Sequence, residues 1–535
     1  MSIKQKLIIG SIIGISLTAS SCKKYLDVNK DPNVLKNPTV DVLLPTSEVY
    51  IANAMGIDME INGSIWAQYW TQNPNSSQYR QLEQYQPTAD VYDYPWTNLY
   101  IAGEDLFQLD KLAASQNKKQ YMAIDILLRA YLFQVLTDAF GDVPFTEALR
   151  GQIQDGGITS PHYDPQQLIY KGILAYIDRA DSLINPNDPS TPGADDLIYG
   201  GNMNQWQKFA NTLRLRVLMR LSEKDPGTAQ AGIAALYSSG AAFLGSGDDA
   251  QVNFTTTAGS RNPLYTQEVQ LGNTQNVVGS KTCIDSMNSN NDYRAYVFYE
   301  ALSNGLVAGI AQGNYSQPAN PGTYSIPSQY VGADANNSAS ATAPVKLLTE
   351  YESLFLQAEA SARGWAPAGM DSSLFYQGIQ ANIQAYASAF AAQNILLADT
   401  AGLSSGNGFV LPNGDTLRTP VYLTPSYAYY AYVKGDTLFG ISPAYWSQYP
   451  SGGTLNDKLR FIITQKWFSM CGNQGFEAWT EWRRTGYPDF FVISKNSIIG
   501  NVFPRRFIYP NTSLTTNLNF PGVKSVTTKV WWDVR

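Results

Sequence analysis

The chain contains one histidine, His162, set between prolines in Ser160-Pro161-His162-Tyr163-Asp164-Pro165. A Ser/His/Asp or Cys/His nucleophile would have to use it, yet the flanking prolines place it on a loop, where a solvated imidazole is the default. The cysteines, Cys22, Cys283 and Cys471, are too few and too scattered for a zinc site of His/Cys type. Whether Cys283 and Cys471 pair does not follow from sequence. No GxxxxGK[ST] phosphate loop is present, and Gly245-x-Gly247 lacks the third glycine and the helix of a dinucleotide fingerprint. The expectation is therefore no cofactor, no metal and no catalytic residue. Paired carboxylates are harder to set aside, because glycoside hydrolysis needs only two and the chain has 44 acidic residues. Glu477 and Glu481 are spaced to share a helix face, but Arg483 and Arg484 beside them favour structural ion pairing.

The sharper signal is aromatic. Between Trp66 and Tyr100 the sequence places Trp66, Tyr69, Trp70, Tyr79, Tyr85, Tyr92, Tyr94, Trp96 and Tyr100, and no Phe. Trp and Tyr join a flat apolar face to a hydrogen-bonding edge, which suits a wet binding surface. Their neighbours include Gln68, Gln72, Asn73, Asn75, Gln78, Arg80, Gln81 and Asn98. Sugars present C–H faces that stack on rings and hydroxyls that need amide partners; peptides also need amides, with more apolar pocket. The bland reading is that half of these rings pack helices beneath. Further tyrosine-rich stretches hold Tyr293, Tyr296, Tyr299, Tyr315, Tyr324 and Tyr330, and then Tyr422 to Tyr432.

These side chains need a scaffold, and hydrophobic periodicity supplies a helical one. One stripe is Ile124, Leu127, Leu128, Tyr131, Leu132 and Val135; others run over Trp206–Leu221, Leu347–Ala362 and Leu455–Met470. The stripes are far apart, so the fold is mainly α, helix packed on helix. Between them, 240–345 and 400–455 are rich in Gly, Asn, Ser, Thr and Pro, long enough to read as loop insertions that carry function. Hydrophobic content of 44% with 15% charged residues describes a folded chain, and a net charge of −7 argues against nucleic acid as partner. At the N-terminus Lys4 and Lys6 precede an apolar run, Leu7 to Leu17, then Ala19-Ser20-Ser21-Cys22. That layout is an export signal, too short to span a membrane. The expected division is a signal peptide over 1–21, a leader over 22–45 and one domain over 46–535.

Cys22 at the expected cut resembles a bacterial lipoprotein box, in which the cysteine is lipidated; the alternative is ordinary cleavage leaving a free thiol. Four stretches together resemble the SusD/RagB family of nutrient-binding outer-membrane lipoproteins. They are Cys22-Lys23-Lys24-Tyr25-Leu26-Asp27; Ala130 to Phe133 leading to Phe140-Gly141-Asp142-Val143-Pro144-Phe145; Leu356 to Ala360 with Arg363-Gly364-Trp365; and Gln465-Lys466-Trp467 through Gly475-Phe476-Glu477-Ala478-Trp479 to Trp482-Arg483-Arg484-Thr485-Gly486-Tyr487-Pro488. The resemblance implies a tetratricopeptide-like helical scaffold with long irregular loops forming the ligand face. It implies a non-enzymatic, surface-exposed, lipid-anchored protein of the outer membrane. Such a protein binds oligosaccharide and acts as the lid of a SusC-like TonB-dependent barrel transporter. The alternatives are oligopeptide capture, as in the RagB branch, and a lipid-anchored glycosidase. Trp96-x-x-Leu99-Tyr100 matches a family element near the ligand arc, which makes Trp96 the first candidate, with Arg80 and Asn98 as hydrogen-bonding partners. Tyr299 and Tyr324 lie in the segment that supplies the other side, and Trp66, Tyr69, Trp70 and Tyr79 complete the expected ligand-binding set.

Overall fold

The computed structural model describes residues 38–316, 319–393, 396–398, 409–410, 416–417, 421–436 and 440–535. Cys22 and the segment before it lie outside the described residues. The principal helices are α1 (Val40–Ala54), α2 (Glu60–Trp66), α3 (Asp93–Ser115), α4 (Lys119–Phe140), α5 (Gln166–Leu183), α6 (Met203–Arg220), α7 (Pro226–Ser238), α8 (Lys281–Asn288), α9 (Glu350–Ala362), α10 (Asp371–Ala385), α11 (Leu455–Ser469), α12 (Gly475–Thr485) and α13 (Asn511–Thr516). The strands are short. β1 (Trp70–Gln72) pairs antiparallel with β3 (Val277–Gly279), and β2 (Ala250–Val252) with β4 (Val345–Leu348).

The helices form a run of neighbours: α1 packs on α3, α3 on α4, α4 on α5, α5 on α6, α6 on α7 and α9, and α9 on α10 and α11. This is the mainly helical scaffold that the apolar stripes predict, and the tetratricopeptide-like one that the family resemblance implies. α4 is its centre; Ile124, Leu127, Leu128, Tyr131, Leu132 and Val135 are all buried, and so is nearly every other residue of the helix. The third stripe is divided rather than continuous. Leu347 belongs to β4, and α9 starts only after Thr349, whose hydroxyl accepts from the Glu352 N–H at 3.3 Å. The scaffold also begins within the stretch assigned to the leader, since α1 starts at Val40 and carries Pro45 inside it. The 240–345 insertion is partly regular, holding β2, β3 and α8.

Two glycines let α2 and α12 cross with their backbones in contact. A Cβ on Gly63 would sit 2.1 Å from the Phe476 nitrogen, and one on Gly475 2.4 Å from Ser64 Oγ. Beside this crossing lies an aromatic core: Trp66 meets Trp479 at 4.9 Å and Phe507 at 5.5 Å, and Tyr92 stacks on Phe507 at 4.4 Å.

Glu477 and Glu481 sit on α12 in a fully buried ion network. Arg220 reaches Glu477 at 2.5 Å, Asp138 at 3.2 Å and also Glu481. Arg484 bridges Glu481 at 2.7 Å and Glu359 at 2.6 Å, and Lys466 lies 3.2 Å from Glu481. Burial alone would raise the Glu481 carboxyl; the Arg484, Lys466 and Arg220 cations outweigh it and hold Glu481 well below the usual range. The pair is bound up in holding five helices together, α4, α6, α9, α11 and α12, as its arginine neighbours in sequence suggest.

Candidate ligand-binding face

The loop after β1 is built from beneath. Gln68, at φ 61°, turns the chain out of α2, and its side chain spans to the Val492 backbone, donating to the carbonyl at 2.6 Å. Gln72 is buried and organises residues 73–79: its Oε1 accepts from the Tyr79 N–H at 2.6 Å, and its Nε2 donates to Ser76 Oγ at 2.7 Å. Glu83, also buried, accepts from Thr71 Oγ1 at 2.6 Å and from Gln312 Nε2 at 2.9 Å. Gly313 N–H donates to Thr71 Oγ1 at 3.0 Å, and Asn496 Nδ2 donates to the Gly313 carbonyl at 2.5 Å. The 313–316 segment is thereby fixed against the 73–83 loop.

On this base sits an exposed polar layer. Asn75 Nδ2 donates to Tyr324 Oη and to the Ala319 carbonyl, both at 2.8 Å, and the Tyr324 hydroxyl donates to Asn73 Oδ1 at 3.1 Å. The Arg80 guanidinium lies over the Tyr315 ring at 5.2 Å and donates to the Ser76 carbonyl at 3.1 Å. Asn75, Ser77, Gln78, Arg80, Ser316 and Asn320 are exposed, whereas Tyr315 and Tyr324 are mostly covered. Burial pushes both phenols above their ordinary range, so they remain protonated donors. The face thus offers amides, hydroxyls and one guanidinium, and neither a carboxylate pair nor the histidine. His162 is exposed elsewhere, 2.8 Å from Glu147.

Of the residues expected to bind ligand, the structure brings Arg80 and Tyr324 to this face, one exposed and the other beneath Asn75. Tyr79 anchors it from below, its hydroxyl donating to Glu268 at 2.9 Å. The others are elsewhere. Trp66 donates from Nε1 to the Leu82 carbonyl at 3.0 Å within the aromatic core. Trp70 is completely buried in β1. Tyr69 stacks on Trp467 at 5.2 Å. Tyr299 donates to the Tyr69 carbonyl at 2.8 Å and touches Cys471 Sγ at 3.4 Å; Cys471 and Cys283 are buried free thiols. No face of Trp66, Tyr69, Trp70 or Tyr299 is open to a ligand, because each ring fills the space between packed elements. Asn98 is buried and turns back to the Tyr94 carbonyl at 2.9 Å. Trp96 lines a cavity of about 350 Å³ with Tyr100 and Tyr163, and none of the face residues lines it.

The sequence matches, over residues 32–510, the SusD-like family described as starch-binding and associating with the outer membrane. The chain belongs to the SusD-like family. Its fold is that of solved SusD homologues. A chitin-binding SusD homologue from Flavobacterium johnsoniae superposes with a TM-score of 0.68 at 21% identity, covering 92% of this chain and 99% of that one. A SusD-like protein from Bacteroides thetaiotaomicron gives 0.68 at 21% identity, covering 93% and 99%. A SusD homologue from Bacteroides fragilis gives 0.66 at 20% identity, covering 93% and 99%. No curated protein matches the sequence. Among the described residues no helix is long and apolar enough to cross a membrane, and no group of three His, Cys, Asp or Glu could hold a metal ion.

Proposed function

We propose that this SusD-like chain captures oligosaccharide at the outer membrane and passes it, as a lid, to a SusC-like TonB-dependent barrel, tethered through lipid on Cys22. The observation that carries the ligand class is the exposed layer of Asn75, Gln78, Arg80, Ser316 and Asn320 on a rigid base. Planar amides and a guanidinium present several donors and acceptors in fixed directions, which suits a ligand whose surface is mostly hydroxyl. A ground-state binder needs that directional surface and no proton shuttle, and the layer holds no acid or base suited to one. The family's description as starch-binding, and the chitin-binding homologue, support a glycan cargo.

Isothermal titration of the purified chain with matched panels of neutral oligosaccharides and oligopeptides tests the cargo. Saturable binding of an oligosaccharide that weakens in Arg80→Ala is expected. Binding confined to the peptide panel would replace this reading with peptide capture, and release of shortened sugar products would replace it with hydrolysis. Mass spectrometry of the mature N-terminus checks lipid on Cys22, and co-purification with a barrel from outer membranes checks the partner.

A further inference from the structure

One cavity of the described structure lies away from the Arg80 face. It is a cleft of about 810 Å³ between the β2–β4 pair, the 329–344 segment and α10. Its floor is largely small residues, Ala339, Ala343, Ala381, Ala385 and Ala389, which leave the room. Its polar groups are of the kind that hold sugars. The side chains of Gln329, Gln384 and Glu350 line the cleft and make no hydrogen bond to any described residue. Tyr330, half-buried, lends a ring to the wall. The geometry is held from behind. Lys346 Nζ pairs with Asp249 at 3.2 Å and lies between the Tyr351 and Tyr386 rings, 5.3 and 5.0 Å from their centroids. Asp249 Oδ1 in turn accepts the Glu350 N–H at 2.8 Å, which fixes the first residue of α9.

Resting on the saccharide reading above, we infer that this cleft is a second saccharide-binding site, selective for sugar units that carry no negative charge. A half-buried ring with free amides and a free carboxylate can stack a sugar's C–H face while accepting and donating to its hydroxyls. The charge selects. The one cation of the cleft, Lys346, is already engaged by Asp249, so the Glu350 carboxylate faces the ligand without a counter-ion. Burial, then the nearby Asp249 and Asp248 charges, raise the Glu350 carboxyl, and a uronate or sulfate group entering the cleft would add to that repulsion. A hydroxyl or ammonium group would relieve it. The two sites are complementary, since the Arg80 face holds hydroxyls by directional polar contacts and the cleft adds a ring and enclosure.

The test uses the mature chain, its Asn75→Ala/Arg80→Ala variant, and Tyr330→Ala and Glu350→Gln placed on that variant. Each is titrated with the neutral oligosaccharide that the unsubstituted chain binds, and with uronate oligomers of equal length. The face variant is expected to keep residual neutral-sugar binding. Tyr330→Ala should weaken that residual binding about tenfold and Glu350→Gln roughly threefold, the latter also as a safeguard should Tyr330→Ala disturb folding. The uronate oligomer should bind the face variant at least tenfold more weakly than the neutral one. Absence of residual binding in the face variant overturns the second site, as does residual binding indifferent to both cleft substitutions. Equal affinity for the uronate oligomer also overturns it. If the unsubstituted chain binds no saccharide at all, the primary reading falls together with this one.

Discussion

Two regions of this chain join aromatic rings to arginine and bury it to opposite extents. Around α12, Glu477, Glu481, Arg484 and Arg220 are fully buried and satisfy one another, and Trp66, Trp479 and Phe507 pack closely beside them. At the 73–80 and 313–324 loops, Asn75, Arg80 and Ser316 are exposed, and Asn73, Tyr79, Tyr315 and Tyr324 beneath them are covered. In the first region every charge has a partner within the protein. In the second, amide and guanidinium donors are exposed to solvent. A cation buried among carboxylates stabilises the fold, while Arg80, laid over a single tyrosine, stays exposed.

The largest effect that separates the regions is on folding. Arg220→Ala leaves Asp138, Glu477 and Glu481 without their shared cation in the interior, and such a break costs roughly 3–5 kcal/mol. A loss of that size in unfolding free energy, read from the denaturant midpoint and slope, or loss of soluble chain, is expected; an unfolding free energy within error of the parent would mean the network is not structural. Trp66→Ala should follow, at about 3 kcal/mol, because it opens a cavity against Trp479 and Phe507. If saccharide affinity falls in Trp66→Ala while thermal stability holds, the ring belongs to the ligand surface after all.

The sequence puts Arg80 and Trp66 in one ligand-binding set, and the structure exposes the first and buries the second. The run from Trp66 to Tyr100 lacks Phe, which suggests a wet surface, but the phenylalanines that complete the core, Phe140 and Phe507, come from distant segments. Two indole edges are met by backbone: Trp66 Nε1 by the Leu82 carbonyl, Trp467 Nε1 by that of Ala67. The second pair is 400 residues apart, beyond any window along the chain. Helical periodicity, by contrast, is local, so α4, α6 and α11 are legible from spacing alone. The pairing of the 73–80 and 313–324 loops depends on β1 meeting β3 across some two hundred residues, a contact with no local signature. The cleft left no trace either, since alanines and glutamines carry no pattern.

A smaller effect belongs to the face. Arg80→Ala should leave stability within about 0.5 kcal/mol of the parent, because the side chain is exposed. Saccharide affinity should drop by roughly 2 kcal/mol, the range of a hydrogen bond from a charged donor. Titration calorimetry beside a thermal melt reads both. A variant that melts early and binds normally would reverse the assignment of the two regions.

The finest test separates them by pH. Glu60 sits where α2 crosses α12, accepting from Ser64 Oγ at 2.7 Å and from the Gly475 N–H at 2.9 Å. Burial lifts its carboxyl from 4.5 to about 7, against a smaller downward pull from those two donors. A carboxyl whose folded pKa lies above its unfolded one holds its proton more tightly in the fold. Its stabilisation is complete below about pH 4.5 and is lost as pH rises toward 7. The ceiling is near 3 kcal/mol at 1.36 kcal/mol per unit, and relaxation around the buried charge reduces the observable part to about 1 kcal/mol. Glu60→Gln removes the titration, so its stability relative to the parent should climb by about that amount between pH 4.5 and 7.5, read from denaturant midpoints at each pH. A flat difference would show that Glu60 stays ionised at the crossing. The Arg80 face carries no carboxylate in its exposed layer, and burial keeps the Tyr315 and Tyr324 hydroxyls protonated. Its contribution to saccharide affinity should therefore stay level over the same range, and a parallel change in binding would mean that the face and the scaffold crossing titrate as one unit.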